Sequence, residues 1–252
     1  MATTREVMNK VLRGLRQFGL ILDSGTTVTT DDYLLMILQF VNEAKEEIEE
    51  SGWPWQALRQ TVTVTLVADQ IEYDITIAGD ADVDTNDRTR LLYDSVTFGG
   101  PAESFRISTD SRPQVFETST SNEYRVKEWT QEKMERIHFT DENNRQLPSH
   151  FTIWSDGDSI KMKVWPTPDK TYTFKMRLFI PQAELAADSL EATSLTIPQR
   201  PVWTKALWKA NQERGDELGA EGSTLHQAYT DAHGSAVGKE MSPADSTVHL
   251  ER

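Results

Sequence analysis

Residues 151–181 read FTIWSDGDSIKMKVWPTPDKTYTFKMRLFIP. Apolar residues alternate with polar ones through most of this stretch, which is the period of a half-buried strand. The spacing predicts a strand over Phe151–Trp154, a tight turn at Ser155-Asp156-Gly157-Asp158 and a returning strand over Ile160–Trp165. Asp-Gly at the centre of the turn supplies positive φ without a Cβ clash. Pro166-Thr167-Pro168-Asp169 makes the next corner. Tyr172, Phe174, Met176, Leu178 and Ile180 then share one face of a long strand, and Lys175 and Arg177 share the other. Pro181 ends the sheet.

Working upstream, Thr61-Val62-Thr63-Val64-Thr65-Leu66 alternates as strictly, with Val62, Val64 and Leu66 inward. A turn at Val67–Gln70 and a second alternation at Ile71, Tyr73 and Ile75 predict a β-hairpin. Gly79–Arg90 is polar and acidic and reads as a loop. Between Leu91 and Arg145 the signal weakens. Ser95–Phe98 with Gly99-Gly100-Pro101 suggests a strand and a turn, Glu128–Arg136 a short helix, and Ile137-His138-Phe139 a strand.

The ends of the chain carry helical periodicity instead. Val7, Met8, Val11, Leu12, Leu15 and Phe18 form one stripe over about Thr4–Phe18, with Thr3 or Thr4 as cap and Gly19 as stop. Tyr33, Leu34, Ile37, Leu38, Val41, Ala44, Lys45 and Ile48 form the next, capped at Thr30 and closed by Ser51-Gly52. Trp53-Pro54-Trp55 follows at the corner into the strands, where two large aromatics beside a rigid proline close a local core or meet a partner. After a connector with some helical character (Ala183–Leu195), a last long helix is expected over about Val202–Leu218, flanked by Trp203 and Trp208. Thr224–His233 reads as one more helical piece. Gly234–Arg252 is small, polar and unpatterned, and is expected to be disordered alone in solution.

The fold class is therefore α+β. A helical bundle is built from the N- and C-terminal helices, with an inserted antiparallel β-rich domain and a flexible C-terminal tail. The expected division is 1–60, 61–182, 183–233 and a tail at 234–252.

Composition narrows the function. The 252 residues carry a net charge of −14 and no cysteine. Wrapping nucleic acid needs clustered Lys and Arg, which a chain this acidic does not offer. Without cysteine there are no disulfides, thiolate zinc ligands or thiol nucleophiles. No apolar run approaches the ~20 residues of a membrane span. The polar stretch Met1–Lys10 lacks the apolar segment of a secretory signal, so cytoplasmic synthesis from near Met1 is expected. G-x-S-x-G, P-loop, G-x-G-x-x-G and H-E-x-x-H patterns are absent from the sequence. His138, His150, His226, His233 and His249 have no partner at metal-ligand spacing, although His226 and His233 can share a helix face. Asp80-Ala81-Asp82-Val83-Asp84 resembles the opening of a calcium loop, but Thr85 stands where glycine is needed and Leu91 where a bidentate Glu is needed. Neither a cofactor nor a metal site is expected, and no catalytic residue is assigned.

The order of motifs resembles the head-to-tail adaptor (connector) proteins of tailed bacteriophages, of the tail tubular protein A and tail accessory factor types. The resemblance rests on three features: the Glu-rich helix running into Trp53-Pro54-Trp55 and the strand Thr61–Leu66; the Phe151–Asp169 hairpin and corner; and Ile197-Pro198 with the helix reaching Glu213-Arg214-Gly215-Asp216. It implies a non-enzymatic virion subunit that forms a ring, usually of twelve copies, between the portal and a downstream tail protein (nozzle, tail tube or fibre). Double-stranded DNA would pass through the lumen without specific binding. The resemblance also implies that the C-terminal segment reaches the portal, with Val237, Met241, Val248 and Leu250 as anchors. Trp53, Trp55, Trp203 and Trp208 are candidate structural or interface aromatics. Two alternatives stay open: another virion part, such as a baseplate or fibre-attachment protein that binds glycans through Trp154 or Trp165, and a polysaccharide hydrolase with an acidic site.

Overall fold

A computed structural model describes residues 2–25, 27–53, 55–92, 114–117, 123–141, 144–213 and 220–240. The fold is α+β. It separates into two compact units, one of residues 1–58 with 182–252 and the other of residues 59–181.

The first unit is helical. Helix α1 spans Thr4–Gly14 and opens with a reciprocal cap. The Glu6 amide donates to Thr3 Oγ1, and the Thr3 amide donates to the Glu6 carboxylate. It stops earlier than Phe18. The Gln17 amide reaches the Leu12 carbonyl and the Arg16 amide the Arg13 carbonyl, a Schellman ending with Arg16 at φ 59° in the left-handed position. Phe18 thus leaves the stripe and stands 68 % exposed. Gly14 matters for another reason. A Cβ there would lie 2.6 Å from Leu207 Cδ2, so the glycine permits close approach of two helices.

Helix α2 spans Asp32–Glu49, and its cap is Asp31 rather than Thr30: Asp31 Oδ1 accepts from the Tyr33 and Leu34 amides. Val41, Ala44, Lys45, Ile48 and Glu49 are buried along it. Trp55 is fully buried and donates its indole N–H to the Ile48 carbonyl at 2.9 Å. A short 3-10 turn, Gln56–Leu58, leads out of the unit.

The chain re-enters at Gln182. The connector to Gln199 forms no helix, because side-chain amides take its backbone groups. Asn42 exchanges two hydrogen bonds with Leu185, and Gln182 accepts from the Thr196 amide and donates to the Ser194 carbonyl. Helix α4 follows as Gln199–Glu213 and packs on α1 and α2. Helix α5, Ala220–Glu240, packs on α4. It runs through Gly234 and Gly238, so the seven residues expected to begin the unpatterned tail are helical instead. Contacts of Ala232 and Ala236, both buried, offset the ~1 kcal/mol that each helical glycine costs relative to alanine.

The second unit is a pair of sheets. Strand β1 (Arg59–Leu66) pairs antiparallel with β9 (Tyr172–Phe179) along its whole length, from Arg59↔Phe179 to Leu66↔Tyr172. On the other side of β9 lie β3 (Arg90–Leu91) and β4 (Gln114–Glu117), with β5 (Glu123–Arg125) beyond. The second sheet has the order β2 (Glu72–Asp74), β8 (Ile160–Trp165), β7 (His150–Ser155), β6 (Lys127–Glu128), with only β6–β7 parallel. The expected hairpin at 61–75 is therefore not one. Residues 67–70 carry the chain from one sheet to the other, turning at Asp69 (φ 67°) and held by the buried Tyr73, whose hydroxyl donates to the Gln70 carbonyl at 2.7 Å. The β7–β8 hairpin does form, with Gly157 at φ 96° in its turn. Val62, Val64, Phe174 and Met176 from one sheet meet Phe151, Met162 and Val164 from the other in a single core. Residues 137–139 belong to a helix, α3 (Gln131–Thr140), not a strand. Met134 and His138, four apart, are its buried pair, and that spacing is helical. The strand expected at Ser95–Phe98 lies outside the described residues.

Candidate assembly surface

Helix α4 places Lys205 and Lys209 one turn apart, facing Glu43 and Glu47, one turn apart on α2. Lys205 Nζ lies 2.5 Å from Glu47, and Lys209 Nζ lies 2.8 Å from Glu43 and 2.5 Å from Glu47. Burial works against the Glu47 carboxylate, but the two ammonium groups outweigh it and hold its pKa below the usual range. The acidic end of α2 thus takes part in an ion network with α4, its carboxylates half-exposed and its two lysine partners largely buried.

Helix α5 covers the far side of this network. Tyr229, Ala232, His233, Ala236, Val237 and Glu240 recur at helical spacing and are buried or half-buried. The Tyr229 ring sits 4.8 Å from Lys205 Nζ. His226 meets Trp208 edge-on at 4.8 Å, and His233 meets Trp55 edge-on at 5.8 Å. Glu240 Oε2 then accepts from the Trp53 indole at 3.0 Å and the Gln56 amide at 3.2 Å. The two histidines seven apart pack against different tryptophans and share Tyr229 between them, at 6.3 and 5.9 Å.

Of the four aromatics singled out from sequence, Trp55 is core. Trp53, Trp203 and Trp208 are half-buried. Val237 is half-buried on α5, and Met241, Val248, Leu250 and His249 lie outside the described residues. The α5 contact was not legible in advance; the spacing of Tyr229, Ala232, His233 and Ala236 was the available signal, masked by the glycines.

His233 carries a testable consequence. Its Nε2 is buried without a hydrogen-bond partner. Burial, and then the Lys205 charge, lower its pKa from 6.5. The unfolded state therefore binds the proton more readily, and the contribution of neutral His233 is present above pH 6.5 and lost as pH falls through the lower folded value. Urea unfolding between pH 7.5 and pH 5 should show stability falling with pH, and His233→Gln should flatten part of that slope.

The acidic loop has its own structural use. Asp80 accepts from the Asp74 amide (3.0 Å), Asp82 from the Thr63 amide (2.7 Å) and Asp84 from the Ile77 amide (2.8 Å). Thr85, at the position where a calcium loop needs glycine, is buried, donates to the Ile75 carbonyl and accepts from the Ile160 amide. No group of three or more metal-ligating residues gathers among the described residues. In the same unit Trp129 stacks on His150 at 3.7 Å, with Lys133 over its ring and Trp165 at 5.5 Å. Trp165 and Trp154 are half-buried, and the Trp165 ring already packs within the chain.

No helix among the described residues is long and apolar enough to cross a membrane. A family model described as SU10 adaptor protein matches residues 3–248. No curated protein matches the chain.

Proposed function

The chain belongs to the SU10 adaptor protein family, a family of bacteriophage adaptors, and from that premise we propose that it is a ring subunit that joins the portal to the tail and prolongs the DNA channel. The observation that carries this reading is the match itself, which spans both units rather than one. The proposed ring has twelve copies. Its wall is the helical unit, copy against copy, and the β-unit meets the downstream tail protein. The segment after Glu240, with Met241, Val248 and Leu250, folds onto the portal. A segment that orders on binding wraps a surface at the expense of its own entropy, and a few apolar anchors suffice to direct it.

The net charge of −14 supports a passive channel. Like charge keeps a phosphate backbone from adhering to a wall it must slide along. An adaptor family is a structural family, and no step of bond chemistry is asked of this chain.

Mixing the purified chain with isolated portal rings tests the reading. Binding is expected, and a chain truncated after Glu240 should bind at least about tenfold more weakly, since losing two or three buried apolar anchors removes well over 1.4 kcal/mol. Failure of the full chain to bind would remove the portal role.

A further inference from the structure

The C-terminal end of α1 carries a knob that the monomer does not use. Arg13 and Arg16 are exposed and have no side-chain partner among the described residues. Phe18, two residues on, is 68 % exposed. The backbone beneath them is strained for an arginine. Arg16 occupies the left-handed closing position of the helix at φ 59°, where glycine is the unstrained choice. A side chain held in that position is explained when something outside the monomer uses it.

The same helical unit contains a complementary trough. It lies between α2 and the connector, encloses about 500 Å³, and is lined by Leu35, Leu38, Gln39, Asn42, Glu46 and Glu184, among others. Leu35, Ala186 and Ala187 leave a narrow apolar strip in an otherwise mostly polar lining. Glu184 is exposed on its rim and makes no side-chain contact among the described residues. Nucleic acid is a poor occupant of a carboxylate-rimmed trough. A segment with two cations beside one large apolar ring fits both features of it.

We propose that the Arg13–Arg16–Phe18 knob of one copy seats in the Leu35–Glu184 trough of the next. The proposal rests on the ring reading above and supplies its copy-to-copy contact. Two different patches that fit each other between copies make a head-to-tail interface, and such an interface closes into a ring when its rotation divides a full turn. An interface that joined like patches would stop at a pair.

The absence of cysteine makes the contact directly testable. Full-length Phe18→Cys and Gln39→Cys chains are mixed under mild oxidation, with Phe18→Cys plus Ser155→Cys as the collision control. Phe18–Gln39 crosslinks should exceed the control about tenfold. Adding Arg16→Gly to the Phe18→Cys chain should raise its melting temperature by relieving the strain and still lower the crosslink yield, a combination that a purely structural arginine does not give. Arg13→Glu should lower the yield, and Glu184→Arg on the other copy should restore it. Crosslinking at the control level overturns the contact. If the unmodified chain then still sediments as an oligomer, the ring reading survives with a different interface. Crosslinks above control in a chain that does not bind portal rings keep the contact and remove the adaptor reading.

Discussion

Replacing Lys45 by methionine is expected to destabilise the helical unit by about 2–4 kcal/mol, the cost of taking a charged donor away from two backbone carbonyls. Lys45 is fully buried on α2. Its ammonium donates to the carbonyls of Gln182 and Ala183, both at 2.7 Å. One turn on, the buried Glu49 accepts from the Gln182 amide at 3.2 Å. The two side chains together pin the point where the chain returns to the helical unit. Methionine keeps the apolar stem but leaves two part-buried carbonyl oxygens without that donor, and an acceptor left without its donor costs stability. Urea midpoints of the wild-type and Lys45→Met chains measure the difference. A change below about 1 kcal/mol, the size of an exposed pair, would show that the clamp is not part of the fold's stability.

Trp55→Ala should cost a similar amount, about 3–5 kcal/mol, as large aromatic deletions in packed cores do. The ring is fully buried, its indole N–H donates to the Ile48 carbonyl near the end of α2, and it makes a T-shaped contact with His233 on α5. The loss therefore joins a cavity and a missing neighbour for α5, while the Ile48 carbonyl keeps the Ser51 hydroxyl as a donor at 2.7 Å. Its effect should reach beyond stability: hydrogen exchange along Tyr229–Glu240 should rise in this variant. Trp203→Ala, at a half-buried position, should cost clearly less. Equal losses at the two sites would mean that Trp55 is not the local core.

The strands around residues 151–181 were legible because alternation specifies faces, and Asp156-Gly157 specifies the turn between them. Partners were not legible. β1 pairs with β9, more than a hundred residues away, and alternation at Ile71–Ile75 carries no information about which sheet takes it. Helix α1 was readable from its stripe, but its end was not, because the left-handed residue is an arginine and the nearby Gly19 is a plausible decoy. The Ile137-His138-Phe139 run is too short to separate a strand from a helix without Met134, which supplies the helical spacing. Lys45 fell on the apolar stripe of α2, so its position was readable and its role was not. That role depends on carbonyls some 140 residues later. In α5, Gly234 and Gly238 hid a helix that tertiary packing restores. The family was legible in the order of the motifs, since those motifs lie in both units.

A residue-resolution image of the assembled particle tests the central claim most directly. The account predicts a ring of this chain between portal and tail, with residues after Glu240 against the portal and carboxylates facing the lumen. A chain found elsewhere in the particle, or a ring whose acidic side chains all face outward, would contradict it.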